Sequence, residues 1–404
     1  MRDFAGALPD AWKSIRSGIR KISFTDVAIV LVGLAMAVLV RLPLLNYRSS
    51  DFFNSLRPWY ALIHRTGFSV FATDFTTYNP PYLYQLYLIA RFFPDVSNVL
   101  AIKIPSLITD FICAYFVYKI VALKYQSQPF PMVAAFTFLF APTVVLNSAF
   151  WGQADVLFTA PLIACLYFLM IRKNTLAFLA FGISLAFKLQ AVFLAPLLFG
   201  LFLRGKVSWW HFLLIPFVLF LAIIPAWVAG RPLIDLIMVY AGQVKQYQLL
   251  EMSAPTVYTW MPDVGLTQRY FTLTGVIFTA MLGLIFAFFI YRSQARLTVP
   301  LLLKLSLVSV LFVPFFLPKM HDRYFYPADV IAIMYAFFFP KYFFVPVVII
   351  LASFFAYQPT LFEVDTVPMG VLAVGMFVML IIVAKDAITE LYAEQPNVDI
   401  IQTQ

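Results

Sequence analysis

The sequence predicts an all-α polytopic membrane protein with about 12 transmembrane helices, in a range of roughly 10 to 13. Three observations carry that prediction. Of the 404 residues, 63% are hydrophobic and only 12% are charged, about half the charged fraction of an ordinary soluble domain. The apolar stretches run for about twenty residues, the length that crosses a hydrocarbon core. Basic residues gather in short connections, Arg172-Lys173, Arg204 with Lys206 and Arg292 with Arg296, as cytoplasmic loops require. The net charge of +9 therefore sets orientation, and no nucleic-acid partner is read from it. Cys113 and Cys165 lie singly in apolar stretches and read as small core residues.

Residues 1–25 carry Arg2, Lys13, Arg16, Arg20 and Lys21 among Trp12, Ile15, Ile19 and Ile22 at helical spacing. They suit either a basic amphipathic helix on an anionic cytoplasmic leaflet or a solvated tail. Residues 26–385 form the membrane domain, and 386–404 a cytoplasmic tail. The first span runs from Val27 to Leu45 and delivers 46–94 to the outer face. Phe52, Phe53, Leu56, Trp59, Tyr60 and Ile63 predict an interfacial helix there. A second follows Pro80-Pro81, carrying Tyr82, Leu83, Leu86, Tyr87 and Ala90. Further spans are expected over 100–122, 131–149 and 156–171. The stretch 175–203 is too long for one straight span, and Lys188 and Gln190 interrupt it, so it reads as two short helices breaking at Lys188. Spans at 211–229, 270–291, 299–317, 330–339, 342–356 and 367–384 complete the domain. No internal repeat is evident by eye.

With this topology the polar clusters share the outer side, and ionisable groups at membrane depth are functional candidates by default. Asp51, in RSSDFFNSLRPWY, is placed to act as a general base at the membrane surface, or simply to cap the helix it opens. Asp74, in FATDFTTYNPP, is a second acidic candidate or a turn residue. Asp155, in WGQAD, either orients sugar or cation or caps the next span. Trp151 beside it can stack on a sugar or anchor the interface, and Gln153 adds an amide. Lys188 and Gln190 sit among apolar residues, where a lysine needs a phosphate or an aspartate unless it snorkels. Lys319, His321 and Arg323, in PKMHDRYFYPAD, combine phosphate-binding cations with a histidine able to shuttle protons near neutral pH. A salt-bridged loop through Asp322 is the plainer alternative. The segment EMSAPTVYTWMPD, with Tyr258 and Trp260, is either a re-entrant lid or an external loop. Asn79 joins these two as a candidate for acceptor contact or closure. No metal-ligand spacing is present, and no nucleotide loop or hydrolase motif. No cofactor is predicted, and a divalent ion stays an open question.

The run Asp51 through Trp59 to Gly67, then TYNPPYLY, WGQADVLF, AFKLQAVFLAPLL, APTVYTW and PKMHDRYFYP resembles a known set in its order. It is similar to the bacterial membrane mannosyltransferases related to the second GPI mannosyltransferase, in the GT-C glycosyltransferase superfamily, over roughly residues 27 to 340. The resemblance implies a GT-C-like fold and an integral protein of the bacterial plasma membrane with both termini cytoplasmic. It also implies inverting transfer of a hexose, mannose in particular, on the extracytoplasmic face. The implied partners are a polyprenyl-phosphate-linked sugar donor and a lipid-linked or glycan acceptor. Asp51 becomes the catalytic base, with Asp155, Lys188, His321 and Arg323 around donor phosphate and sugar. Relatives often carry paired acidic residues in the first loop, whereas here Ser50 precedes Asp51, leaving any second carboxylate to Asp74 or Asp155. The rival classes are a secondary transporter, for which paired broken helices and repeats are expected, and a lipid-sugar flippase.

Overall fold

The computed structural model describes residues 24–76, 78–126, 129–240, 249–261 and 268–393. The expected N-terminal amphipathic segment, except residues 24 and 25, lies outside these, as do Pro262, Asp263 and the last eleven residues of the tail. The chain is an all-α polytopic membrane protein. Helix α1 (Phe24–Arg41) is followed by α2 (Arg57–Thr66) and α3 (Pro80–Phe92), then α4 (Asn98–Ala122), α5 (Phe130–Phe140) and the short α6 (Pro142–Val145). Next come α7 (Asp155–Met170), α8 (Asn174–Phe187), α9 (Ala195–Leu203), α10 (Leu214–Val228) and α11 (Leu233–Ile237). The last five are α12 (Gln268–Arg292), α13 (Val299–Phe316), α14 (Tyr326–Phe338), α15 (Phe344–Phe362) and α16 (Met369–Tyr392). A two-residue parallel ladder pairs β1 (Glu251–Met252) with β2 (Met320–His321).

Among the described residues, seven helices are long and apolar enough to cross a membrane, or eight if the bent pair over 130–151 is one span; α7, α8 and α14 are shorter apolar helices, as is the stretch Leu189–Leu203. Burial sorts them. In α13 every residue from Leu301 to Phe315 is buried, so this helix is the centre of the bundle, and its side chains are apolar on every face apart from Lys304, Ser306 and Ser309. By contrast α1 and α12 expose most of their large side chains, and α10 buries only Ala226, the pattern of walls that face lipid. Helices α2 and α3 form a second core through Tyr60, Ile63, Tyr82 and Leu86, which Ile102 and Ala226 join.

Two expectations change. The predicted straight span over 131–149 is broken at Ala141-Pro142, where α5 and the segment 142–151 meet at 51°, because a proline cannot continue the preceding ladder. The last helix runs on to Tyr392, past the expected boundary at 385. The break at Lys188 is present: its backbone is extended, at φ −156° and ψ 136°, between α8 and a 3₁₀ turn over Leu189–Leu194.

Candidate active site

The Ala141-Pro142 bend aims the chain back into the bundle, where residues 146–151 widen into a π turn. Gly152 closes that turn at φ +80°, a left-handed conformation that favours glycine. Its amino-acid identity is doubly constrained, since a Cβ there would lie 3.2 Å from Cγ of Lys103. Asp155 then opens α7, and a carboxylate in a first turn is favoured by the helix dipole.

Asp155 is fully buried and gathers the cations. Its Oδ1 pairs with Nζ of Lys188. Its Oδ2 accepts from the Asn147 amide at 2.9 Å and faces Nε of Arg323 at 3.5 Å. Arg323 also reaches Asp322 at 3.4 Å, and Asp322 accepts from the Thr360 hydroxyl at 2.6 Å. The Lys188 ammonium lies over the Tyr324 ring, 5.0 Å from its centroid. Lys188 is therefore paired and does not snorkel to headgroups. Its place is set by the break itself. The carbonyls of Leu185 and Ala186 would bond residues 189 and 190 in a continued helix. Here Tyr240 donates to Leu185, while Asn79 donates to Ala186 at 3.1 Å and to the Tyr240 hydroxyl at 2.7 Å. Asn79 is a brace for the Lys188 turn, and no lid role is needed to explain it.

Asp51 joins this cluster through the WGQAD turn. Its Oδ2 accepts from Nε1 of Trp151 at 2.9 Å and from Nε2 of Gln153 at 2.6 Å. Arg323 stands over the Trp151 ring at 5.1 Å. One indole thus touches the candidate base with its edge and the candidate phosphate cation with its face. At 1% exposure Trp151 is neither an interfacial anchor nor open for sugar stacking. Asp51 is not a helix cap, because the Ser49 hydroxyl accepts from the Phe52 amide at 3.2 Å in that role. Lys103, which sequence reasoning passed over, donates to the carbonyls of Leu44, Leu45 and Tyr47 and so fixes the end of α1 that leads to Asp51. A lysine inside an otherwise apolar span was the signal available for it.

The other candidates settle elsewhere or change role. Asp74 pairs with Arg231 at 2.6 Å and is largely exposed, so its carboxylate is engaged after α10 rather than with Asp155. Gln190 follows Lys188 in the 3₁₀ turn, with a buried Oε1 that finds no hydrogen-bond donor. Lys319 takes a left-handed backbone, φ +64°, and its amide donates to Leu250 at 2.7 Å. The ladder between β1 and β2 lays residues 251 and 252 along 320 and 321, beside the Arg323 loop. Tyr258 spends its hydroxyl on the Phe316 carbonyl at 2.9 Å, and Trp260 is half exposed against the start of α16 at Gly370. His321 is driven far below its ordinary range, first by burial and then by Arg323 and Lys188. That direction favours the neutral imidazole. Burial raises Asp322 to about 6, against the opposing pull of Arg323. Among the described residues, no group of three His, Cys, Asp or Glu side chains converges as a metal site.

The sequence matches no protein family model and no curated protein. The fold does have solved counterparts. The crystal structure of ArnT from Cupriavidus metallidurans bound to undecaprenyl phosphate superposes with a TM-score of 0.54 at 12% identity, covering 90% of this chain and 77% of that one. The apo structure of the same ArnT gives 0.51 at 14% identity, over 91% and 72%. The chain described here has an ArnT-like membrane fold.

Proposed function

We propose that this protein is an inverting glycosyltransferase. It moves a hexose, mannose in the reading that the sequence motifs favour, from a polyprenyl-phosphate-sugar to a lipid-linked or glycan acceptor at the extracytoplasmic face. The observation that carries the reading is one connected cluster, in which the Trp151 indole links Asp51 to Arg323 and Asp155 links Arg323 to Lys188. The likeness to an ArnT bound to undecaprenyl phosphate supports a lipid phosphate as the donor's anchor.

The chemistry follows from the charges. An acceptor hydroxyl oxygen attacks the anomeric carbon while its proton passes to Asp51. The bond from that carbon to the phosphate oxygen breaks, and its electron pair leaves on the lipid phosphate. Arg323 offers a planar guanidinium to that growing charge and Lys188 a compact ammonium. Asp155 and Asp322 keep both cations in place before the donor arrives.

The test is transfer by purified protein supplied with a panel of polyprenyl-phosphate hexoses and lipid or glycan acceptors. Transfer with inversion is expected, and Asp51→Asn should abolish it while the protein still inserts and purifies normally. Full activity of that variant removes Asp51 from the base role. Absence of transfer from every donor, with lipid or sugar movement in proteoliposomes, would give the chain to the flippases or transporters.

A further inference from the structure

We propose that Trp151 and Gln153 are positioning residues that pin Oδ2 of Asp51, leaving Oδ1 as the atom that takes the acceptor's proton. The inference rests on the glycosyltransferase reading and specifies how its base is aimed. Both N–H donors converge on the same oxygen, at 2.9 and 2.6 Å. An ionised carboxylate has about two acceptor sites on each oxygen, so Oδ2 is spent. Oδ1 makes no hydrogen bond to any described residue, and Asp51 is only half-buried, which leaves that oxygen reachable.

The two donors are themselves fixed. Trp151 packs edge-on against Tyr357 at 5.4 Å, and its carbonyl accepts from Ser49 at 3.4 Å. Gln153 is held through its backbone by Ser106 at 2.6 Å and by the Asn147 carbonyl at 2.9 Å. The Tyr78 hydroxyl approaches Oε1 of Gln153 at 3.4 Å, so the amide turns its N–H side to Asp51. Residues 151 and 153 would point apart in a regular helix. The left-handed Gly152 between them lets both aim at one oxygen. Arg323 over the face of the same indole withdraws density from the ring and strengthens its N–H as a donor. The hold on the base is therefore set from the side of the site where the phosphate cation stands.

Variants separate the ring from the N–H. Trp151→Phe keeps an aromatic face for Arg323 and deletes the donor, Gln153→Leu deletes the other donor, and Trp151→Ala removes ring and donor together. With purified protein, Trp151→Phe and Gln153→Leu should each lower kcat about tenfold or more, since small misplacements of a reacting group are costly. Donor KM should stay within about twofold of wild type, because neither change removes a group assigned to the phosphate. Trp151→Ala should raise donor KM as well. The double variant Trp151→Phe/Gln153→Leu should approach the rate of Asp51→Asn and not fall below it. Wild-type kcat in Trp151→Phe and Gln153→Leu overturns the inference. So does a loss shared equally between kcat and donor KM with a lowered melting temperature, which marks a merely structural role. If Asp51→Asn is itself fully active, the base assignment fails instead; if it is inactive while both positioning variants work, only the inference here fails.

Discussion

Asp155 shows how much a single buried carboxylate can organise. Lys188 and Arg323 both lean on it, and without it two cations would face each other in a low-dielectric site. Breaking a buried pair costs about 3–5 kcal/mol, because the remaining charge stays buried and unpaired. Asp155→Asn is therefore expected to lower the melting temperature in detergent markedly. Adding Lys188→Met should recover part of that loss by removing one stranded cation, and a double variant no more stable than the single one would show that the pair is not the cause. Asp322 makes a prediction about pH. Its carboxyl is raised to about 6 by burial, above the ~3.9 of an unfolded aspartate. The folded protein binds that proton more tightly, so this group costs stability as pH rises from about 4 to 6, and the cost stays constant above that window. Melting curves across it should slope less steeply in Asp322→Asn than in wild type; parallel slopes would assign the dependence to another group.

At the scale of elements, the turn from Leu146 to Asp155 decides the site. It places Trp151, Gln153 and Asp155 within five residues, and Gly152 is the joint that allows it. Gly152→Ala would force a Cβ into a left-handed conformation, at about 1–2 kcal/mol, and against the Lys103 stem at 3.2 Å. Transfer should fall together with stability, and wild-type values for both would show that the turn tolerates a side chain. This turn and the Lys188 break were readable in the sequence because each puts polar residues into an apolar run, a local signal. Helices α2 and α3 were readable for a similar reason, Pro80-Pro81 and an amphipathic repeat. Pairings across the chain were not. Arg41 meets Asp110 at 3.0 Å from 69 positions away, and hydropathy reports the cost of each charge without naming its partner. Asp74 misled because its turn chemistry says nothing about Arg231. The bend at Pro142 was hidden because the largely apolar run continues past the proline, and composition alone does not report a change of direction.

Across the whole molecule, α13 carries ionic groups at both ends, and the two ends differ in kind. Beyond its C-terminus lies the Arg323 loop with its candidate chemistry. Near its start, Lys304 pairs with Asp386 at 2.8 Å and Glu390 at 2.7 Å on α16. Tyr335 and Tyr342 both donate to Asp386, at 2.9 and 3.2 Å. At about 1.5 Å per residue, the helix from Lys304 to Phe316 spans roughly 18 Å. Lys304 therefore cannot touch a ligand that Arg323 holds. Its role is to fasten α16 to the central helix at the opposite end of the bundle. Lys304→Met leaves two acidic side chains facing each other. Glu390 is about one-third exposed, so the loss should sit near the low end for a broken buried pair, about 3 kcal/mol. The melting temperature should drop while kcat and donor KM, measured per folded molecule at low temperature, remain those of wild type. Arg323→Ala should do the reverse to the kinetics, raising donor KM. If Lys304→Met instead changed donor KM while leaving stability intact, the two ionic clusters would be coupled through α13, and the separation of fastening from chemistry would be wrong.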